Sequence, residues 1–278
     1  MKNLEIKDKD LKFLKGKIEI FDKNGNLYFT TSNLVLTASR AAIIQLLFND
    51  DKVAETINAL ENVNYVEKLP TSNNVKKLIC GFSLGNGGAN INVSPTTIKV
   101  PSHKDNFVNG TFSKVPFISA ENGIGGTITI KGNSSYENLD EIINTSSALE
   151  NPSISIASND NIVVNNNGAI NSVRYFYAND TNYYCKAFDI INNKCNYINT
   201  TGEIDYVIKL PVDNWDAVGE TISEVGLVLA DCTVSSDNKN IIAIDDSTVH
   251  LATRATFSPI SLATDLLSSF TIKYHIYI

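Results

Sequence analysis

The sequence predicts a mainly β protein: an antiparallel β-sandwich with one buried N-terminal helix over about residues 38–49 and a second, weaker helical segment after it. Short apolar runs, several of them alternating with polar residues, recur along most of the chain, and turn signals rich in Gly and Asn separate them. Strands and helices do not alternate as they do in α/β folds. These observations favour a sandwich or barrel.

The bulk composition argues against certain classes of binding partner. With 278 residues and 43% hydrophobic content, the chain can bury one large core or two small ones. A net charge of −7 argues against nucleic acid as the main partner, because phosphate binding needs clustered Lys and Arg. No apolar window reaches the roughly 20 residues that span a bilayer, and residues 1–17 lack the apolar core of a secretory signal. We therefore expect no membrane contact and synthesis in the cytoplasm.

The first elements are a hairpin and a helix. Residues 17–21 and 27–30 flank Asn24-Gly25, and Asn-Gly between apolar runs is the strongest short-range hairpin signal. Helical spacing follows, with Thr37 or Ser39 as the candidate N-cap, in Leu36, Ile43, Ile44, Leu47 and Phe48. The second helical segment is indicated by Val53, Ile57 and Leu60.

From residue 78 onward the pattern predicts strands. The predicted strands cover residues 78–82, 127–130, 153–156, 162–164, 173–177, 183–191, 206–210, 224–229, 241–244 and 251–257. The last strand, residues 270–278, alternates most clearly, with Phe270, Ile272, Tyr274, Ile276 and Ile278 on one face. Because an unpaired strand is an adhesive edge, we expect this strand to be central in its sheet or paired across a subunit boundary.

Three regions describe the organisation. Residues 1–132 hold the hairpin, the helix and the first strands of the β body. Residues 133–170 are rich in Asn and Ser and form an insertion or small subdomain. Residues 171–278 supply the strands that complete the sandwich.

The residues that carry catalysis or bind ligands in other proteins do not form a recognisable motif. The glycines of residues 81–88 lack the Gly-Lys-Ser/Thr ending of a phosphate-binding loop and are read as a turn between strands. Asp50-Asp51 and Asp245-Asp246 lack the spacing of a calcium-binding loop. The three histidines are dispersed. We predict no catalytic, cofactor-binding or metal-binding residues and no enzymatic activity.

Cysteines and aromatic residues have ordinary structural interpretations. Cys80, Cys185, Cys195 and Cys232 read as small buried side chains, and Cys185 and Cys195 are in addition candidates to face each other across a hairpin. Aromatic residues gather between residues 175 and 188. Packing across a hairpin is favoured there over a sugar- or receptor-binding platform.

Five residues are candidates for structural or interface roles. Glu224 and Arg254 each lie in an otherwise apolar predicted strand, where an unpaired charge is costly, so we expect them to pair with each other or with a neighbouring subunit. In the predicted strands at residues 250 and 275, histidines share faces with Arg254 and Lys273, which suits a solvated or interface face. The five candidates are Glu224, Arg254, Lys273, His275 and Tyr277.

The order of several segments resembles that of baseplate, collar and neck proteins of tailed bacteriophages. Residues 16–25, then 33–36 and 38–40, are similar to their opening, in which a hairpin leads into an Asn-apolar-apolar segment and a helix. Residues 79–88 are similar to the glycine-bearing strand that follows that helix.

The later segments resemble tail-collar and tail-fibre head modules. Residues 222–227, Ile-Ser-Glu-Val-Gly-Leu, are similar to a strand of those modules, and residues 251–260 with 270–278 are similar to their ending. Many relatives carry Trp in the last strand, where this chain has Tyr274, and the middle of the chain is poorly matched.

The resemblance implies a virion structural protein of a phage or a phage-tail-like bacteriocin. Such a subunit assembles as a ring in the tail, baseplate or neck, through contacts with its own copies and with other tail, neck or baseplate proteins. No cofactor is implied. The alternative is a tail-associated adhesion protein that contacts a cell-surface glycan through its Asn- and Tyr-rich middle.

Overall fold

The computed structural model describes residues 15–48, 74–107, 110–117, 128–130, 134–136, 152–156, 162–166, 172–176, 184–187, 194–198, 203–212, 216–217, 219–234, 241–262 and 270–277. Its one α-helix in these ranges is α1 (Thr37–Phe48). Its strands are β1 (Lys15–Phe21), β2 (Leu27–Val35), β3 (Val75–Gly85), β4 (Ala89–Asn90), β5 (Thr97–Ile98), β6 (Lys114–Val115), β7 (Ile128–Ile130), β8 (Ser134–Tyr136), β9 (Pro152–Ile156), β10 (Ile162–Asn166), β11 (Ser172–Phe176), β12 (Cys185–Ala187), β13 (Lys194–Ile198), β14 (Glu203–Val212), β15 (Thr221–Val234), β16 (Ile241–Ile244), β17 (His250–Leu251), β18 (Thr253–Ser261) and β19 (Phe270–Tyr277).

The predicted mainly β, antiparallel fold is confirmed, and most of its strands belong to one large curled sheet. Their order is β13-β14-β19-β1-β2-β18-β15-β3-β12-β11-β10-β9, with β16 and β17 beside β15, and β6 beside β3. Strand β18 joins the two halves, since it pairs with β15 through Thr256 and with β2 through Arg254. Strand β19 lies between β14 and β1, so of the two predicted arrangements the structure has the one in which this strand is central in its sheet.

The main core lies between the two halves of the curled sheet. One half contributes Ile18, Ile208 and Ile272, and the other contributes Phe82 and Leu227, all buried in one cluster. A second cluster covers the opposite face of β3 and β15, under the segment that carries Phe107 and Phe112. Because successive side chains of a strand point to opposite faces, residues 222–230 of β15 are buried without interruption.

Helix α1 agrees with the predicted bounds and packs on the main core through Ala38, Ala41 and Ala42. The N-cap prediction is wrong in detail. The Thr37 hydroxyl donates to His103 O (3.0 Å) and the Ser39 hydroxyl donates to Ala252 O (2.9 Å), whereas Arg40 N–H donates to Leu36 O. Both candidate hydroxyls therefore fasten the helix to other segments.

Two predictions concern the less fully described parts of the chain. The helical segment expected around Val53, Ile57 and Leu60 lies outside the described residues. Within the Asn-rich region of residues 133–170, strands β9 and β10 pair with each other and continue the large sheet beyond β11. No helix within the described ranges is long and apolar enough to cross a membrane.

Candidate interaction site

Glu224 and Arg254 pair with each other within the chain, which is the first of the two arrangements expected from the sequence. Arg254 Nε and Nη2 donate to Glu224 Oε2 at 2.8 and 2.5 Å, and Nη1 donates to Asp105 Oδ2 at 2.6 Å. All three residues are buried. We call these three residues the ion network.

The second oxygen of Glu224 is held by backbone. Its Oε1 accepts from Gly87 N–H at 2.8 Å and from Ser113 N–H at 2.9 Å. The turn after β3 approaches this closely because it is made of glycine: a Cβ on Gly88 would lie 2.1 Å from the Ser223 carbonyl oxygen. The interpretation of these glycines as a turn between strands is therefore confirmed. The turn also supplies a backbone N–H donor to Glu224.

Opposing effects act on the pKa of the Glu224 carboxyl, as is usual for a buried ion pair with a structural role. Burial raises the pKa of the Glu224 carboxyl, while Arg254 and the two N–H donors oppose the rise. A buried ion pair adds little net stability over an apolar replacement, but removing one partner leaves an uncompensated charge. The ion network is thus suited to fix the geometry of the segments that meet there.

Those segments are the two ends of an exposed extension, which we call the arm: residues 89–100, with β4 and β5 paired to each other. Gly88 N–H donates to the Ser223 hydroxyl at 2.9 Å, and Gly88 O accepts from Lys99 N–H at 2.8 Å. The Thr256 hydroxyl of β18 donates to Lys99 O at 2.7 Å. Just after the arm, Asp105 joins the ion network, so both ends of the arm are fixed to the same buried charges.

The arm itself presents apolar side chains to solvent. Every residue from 91 to 100 is exposed, and Val100 is 90% exposed. The other large apolar residues of the arm are Ile91, Val93 and Ile98, each at least 41% exposed. A second exposed apolar pair, Leu27 and Tyr28, starts strand β2 at the tip of the first hairpin. Four exposed apolar residues within ten positions make the arm a candidate interaction surface.

The sequence prediction did not single out the arm. Its signal was present as Ile91 and Val93, then Ile98 and Val100, around Ser94-Pro95. Such short apolar runs are read from sequence as strands that will be buried, since a pattern does not reveal which face lacks a neighbour.

Lys273, His275 and Tyr277 lie on the half-buried outer face of β19, opposite the core-facing residues of the same strand. His275 lies between two carboxylates: its Nε2 is 3.2 Å from Glu19 Oε2 and its Nδ1 is 3.0 Å from Asp205 Oδ1. The imidazole also stacks on Tyr277, with ring centroids 6.1 Å apart.

Basic groups flank this cluster on the same face of the sheet. Lys273 Nζ lies 4.0 Å from the ring centroid of Phe21, and Lys17 Nζ donates to Glu19 Oε1 at 2.5 Å. The hydrogen bond from Lys17 lowers the pKa of Glu19. Three of the five candidates thus form a polar sheet face, while Glu224 and Arg254 belong to the interior.

The remaining sequence interpretations can be placed. Cys80, Cys185 and Cys232 are buried free thiols in the second core cluster, as expected for small buried side chains. The hairpin suggested for Cys185 and Cys195 is wrong: Cys185 is in register with Ser83 of β3 and Cys195 with Tyr206 of β14. A hydrogen bond between the Cys80 and Cys232 thiols, together with burial, raises the pKa of Cys80.

Among the described residues of the aromatic hairpin, the side chains pack inside the protein, as the favoured interpretation predicted. Tyr175 and Phe176 are both fully buried, one in each core cluster. Tyr184 is half-buried, with Lys114 Nζ 4.6 Å from its ring centroid. Tyr177, Tyr183 and Phe188 lie outside the described residues. In the described part of the chain, no three His, Cys, Asp or Glu residues are grouped so that they could hold a metal ion.

His250 makes the stability of the fold sensitive to acid. Burial, with the nearby charge of Lys77, lowers the pKa of His250 from 6.5 to about 4. Because the folded state binds this proton less readily than the unfolded state, the stabilisation is complete above pH 6.5 and is lost as the pH falls towards 4. We expect a loss of at most about 3 kcal/mol in the free energy of unfolding from this residue.

Urea denaturation at pH 6.5 and pH 4.5 measures this effect. The His250→Gln variant should lose less stability between the two pH values than the unchanged protein. Equal losses in both proteins would show that His250 is not responsible.

The chain matches no model of a known protein family, no curated protein and no solved structure. Functional inference therefore depends on the arm, the ion network and the polar sheet face themselves.

Proposed function

We propose that this protein is a structural component of a tailed-phage or phage-tail-like particle, in which it assembles as one subunit of a ring. The observation that carries the proposal is the arm, an exposed apolar extension whose two ends are fixed by buried charges. It is complemented by the resemblance of the chain's two ends to collar and baseplate proteins.

The arm combines the two properties that an assembly element needs. Its apolar side chains gain free energy when a neighbour removes them from water, at roughly 25 cal/mol for each Å². Its ends are held by hydrogen bonds at Gly88 and Lys99, which reduces the conformational entropy that the arm loses when it docks. A loop that only connected two strands would need neither property.

A ring can form when unlike surfaces of two copies contact each other, which is called a heterologous contact. Leu27 and Tyr28 start strand β2, and the arm is a separate segment, so the exposed apolar residues lie on two segments of unlike sequence. When the arm of one copy docks on a different patch of the next, the contact repeats head to tail and closes into a ring if the rotation permits. The polar face around His275 is then available to a different protein of the particle.

The arm can be tested without disturbing the core. We expect the double variant Ile98→Asp with Val100→Asp to abolish self-assembly of the purified protein, because two carboxylates would have to be desolvated in the contact. The melting temperature should remain within a few degrees, since surface changes usually alter stability by less than about 0.5 kcal/mol. Light scattering gives the mass of the assembly, and electron microscopy of negatively stained samples detects rings.

The matched control is Thr96→Asp, which adds a carboxylate to an exposed polar position of the same arm. This variant should still assemble. If the unchanged protein stays monomeric at all concentrations, and also fails to join other tail parts, the proposed function is wrong. Binding of the monomer to isolated cell walls would instead favour the adhesion protein.

A further inference from the structure

A lysine and an aspartate are in direct contact in the fully buried interior. Lys186 Nζ lies 2.5 Å from Asp216 Oδ2, and both side chains have an exposed fraction of 0%. The Tyr175 hydroxyl donates to the other carboxylate oxygen, Asp216 Oδ1, at 2.6 Å. Lys186 is in β12 and Tyr175 in the neighbouring β11, whereas Asp216 lies between β14 and β15.

The pair lies at one end of a chain of aromatic contacts. Lys186 Nζ is 5.6 Å from the ring centroid of Tyr175, whose ring contacts Phe117 with centroids 6.0 Å apart. Phe117 in turn packs edge-on against Phe82. The loop that carries Asp216 is held in place by a hydrogen bond from Ala217 N–H to Phe117 O at 2.9 Å. The amine therefore lies beside the Tyr175 ring, and neither side chain of the pair reaches water.

Separated charges are expensive to keep away from water, so transfer of one proton from the ammonium to the carboxylate removes two buried charges at once. The products are a neutral amine, which is a nucleophile, and a neutral carboxylic acid, which is an electrophile. Confinement at contact distance replaces the entropy that a reaction between free molecules would lose.

We propose that Lys186 and Asp216 form a covalent amide bond, an intramolecular isopeptide cross-link. Lys186 Nζ attacks Asp216 Cγ, so that a C–N bond forms and the C–Oδ2 bond breaks. The oxygen Oδ2 leaves as water and takes two protons, both of which come from the original ammonium group. One proton remains on the amide nitrogen. No oxidant, metal or cofactor takes part.

Tyr175 is the catalytic residue of this step. During the attack, negative charge develops on Asp216 Oδ1, the oxygen to which the Tyr175 hydroxyl already donates. A donor directed at a developing oxyanion lowers the barrier more in an apolar site than it would in water. When the intermediate collapses, the same oxygen becomes the carbonyl oxygen of the amide and keeps its hydrogen bond.

A second lysine–aspartate pair gives an internal comparison. Lys77 Nζ lies 2.6 Å from Asp231 Oδ1, but the Asp231 side chain is 15% exposed. A carboxylate side chain that is partly exposed keeps part of its hydration, so less free energy is gained when an amide bond removes the two charges. The proposal therefore assigns the cross-link to the first pair and an ordinary ion pair to the second.

The decisive experiment is the intact mass of the full-length, folded protein, measured after denaturation. We expect a mass lower than that of the sequence by one water molecule. After trypsin digestion, the peptides containing residues 186 and 216 should be found joined, with no cleavage after Lys186. A full mass with both peptides separate would overturn the proposal. The same would follow if the lost water mapped to one unlinked peptide, as a succinimide at Asp216 would produce.

Single substitutions test the role of each residue in the cross-link. Lys186→Arg and Asp216→Ala should each restore the full mass, whereas Lys77→Arg should retain the loss of one water. Tyr175→Phe should lower the cross-linked fraction at least tenfold at early times after refolding. An unchanged rate in Tyr175→Phe would remove the catalytic role of Tyr175. If the Lys186 variant does not fold, the mass and peptide map of the unchanged protein still decide the proposal.

Discussion

Replacement of Arg254 by alanine should lower the free energy of unfolding by about 3 to 5 kcal/mol, because two buried carboxylates then lose their counter-charge. Glu224 and Asp105 are both buried, and each accepts a hydrogen bond from the guanidinium. Water cannot reach the site to replace these bonds without opening the subunit. Urea denaturation at neutral pH, followed by circular dichroism, measures the change.

The arm should respond to the same variant. Its two ends are fixed by the ion network, at Gly87 before it and at Asp105 after it. We expect Arg254→Ala to increase amide hydrogen exchange between residues 89 and 105 and to weaken assembly, in addition to lowering stability. The matched control is Lys76→Ala, which removes an exposed cation from β3 and should change stability by less than about 0.5 kcal/mol.

The Glu224→Gln variant separates charge from hydrogen bonding. Glutamine keeps an oxygen that can accept from the two backbone N–H groups, and Arg254 keeps its contact with Asp105. A smaller loss of stability than in Arg254→Ala is therefore expected. For the first variant, the contrary result is clear: if Arg254→Ala leaves both stability and assembly unchanged, the pairing of Glu224 with Arg254 has no structural importance.

The parts of the fold that were predictable from sequence are those with a strong local pattern. Residues 270–277 alternate strictly, and the strand they form is central, which is one of the two arrangements expected because an unpaired strand is an adhesive edge. The charges of Glu224 and Arg254 stood out because their neighbours are apolar, so their pairing could be anticipated. In each case the signal lies within about ten adjacent residues.

The contacts that could not be predicted join distant segments. Asp105 lies in a polar stretch with no periodicity, and Arg254 is 149 residues away along the chain. Nothing local distinguishes Lys186 or Asp216 from solvated charges, although both side chains are fully buried. The suggested pairing of Cys185 with Cys195 failed for the same reason, since β12 and β13 have different partners in the curled sheet.

Replacement of Phe82 by alanine should also lower the free energy of unfolding by about 3 to 5 kcal/mol, because it removes a large side chain from a close-packed interior. Phe82 is fully buried in β3 and its ring packs edge-on against Phe117, with centroids 5.2 Å apart. It belongs to the same cluster as Ile18 and Ile272 of the other half of the sheet. Its loss therefore weakens the contact between the two halves.

The comparison with Tyr28→Ala makes the experiment specific. Tyr28 is also an aromatic residue of a strand, but it is 61% exposed, so its truncation should change stability by less than about 0.5 kcal/mol while weakening assembly. Phe82→Ala should show a single unfolding transition at lower urea concentration, since one core cluster serves both halves. Two separate transitions would mean that the halves fold independently, and the rigid body that the arm requires would then be absent.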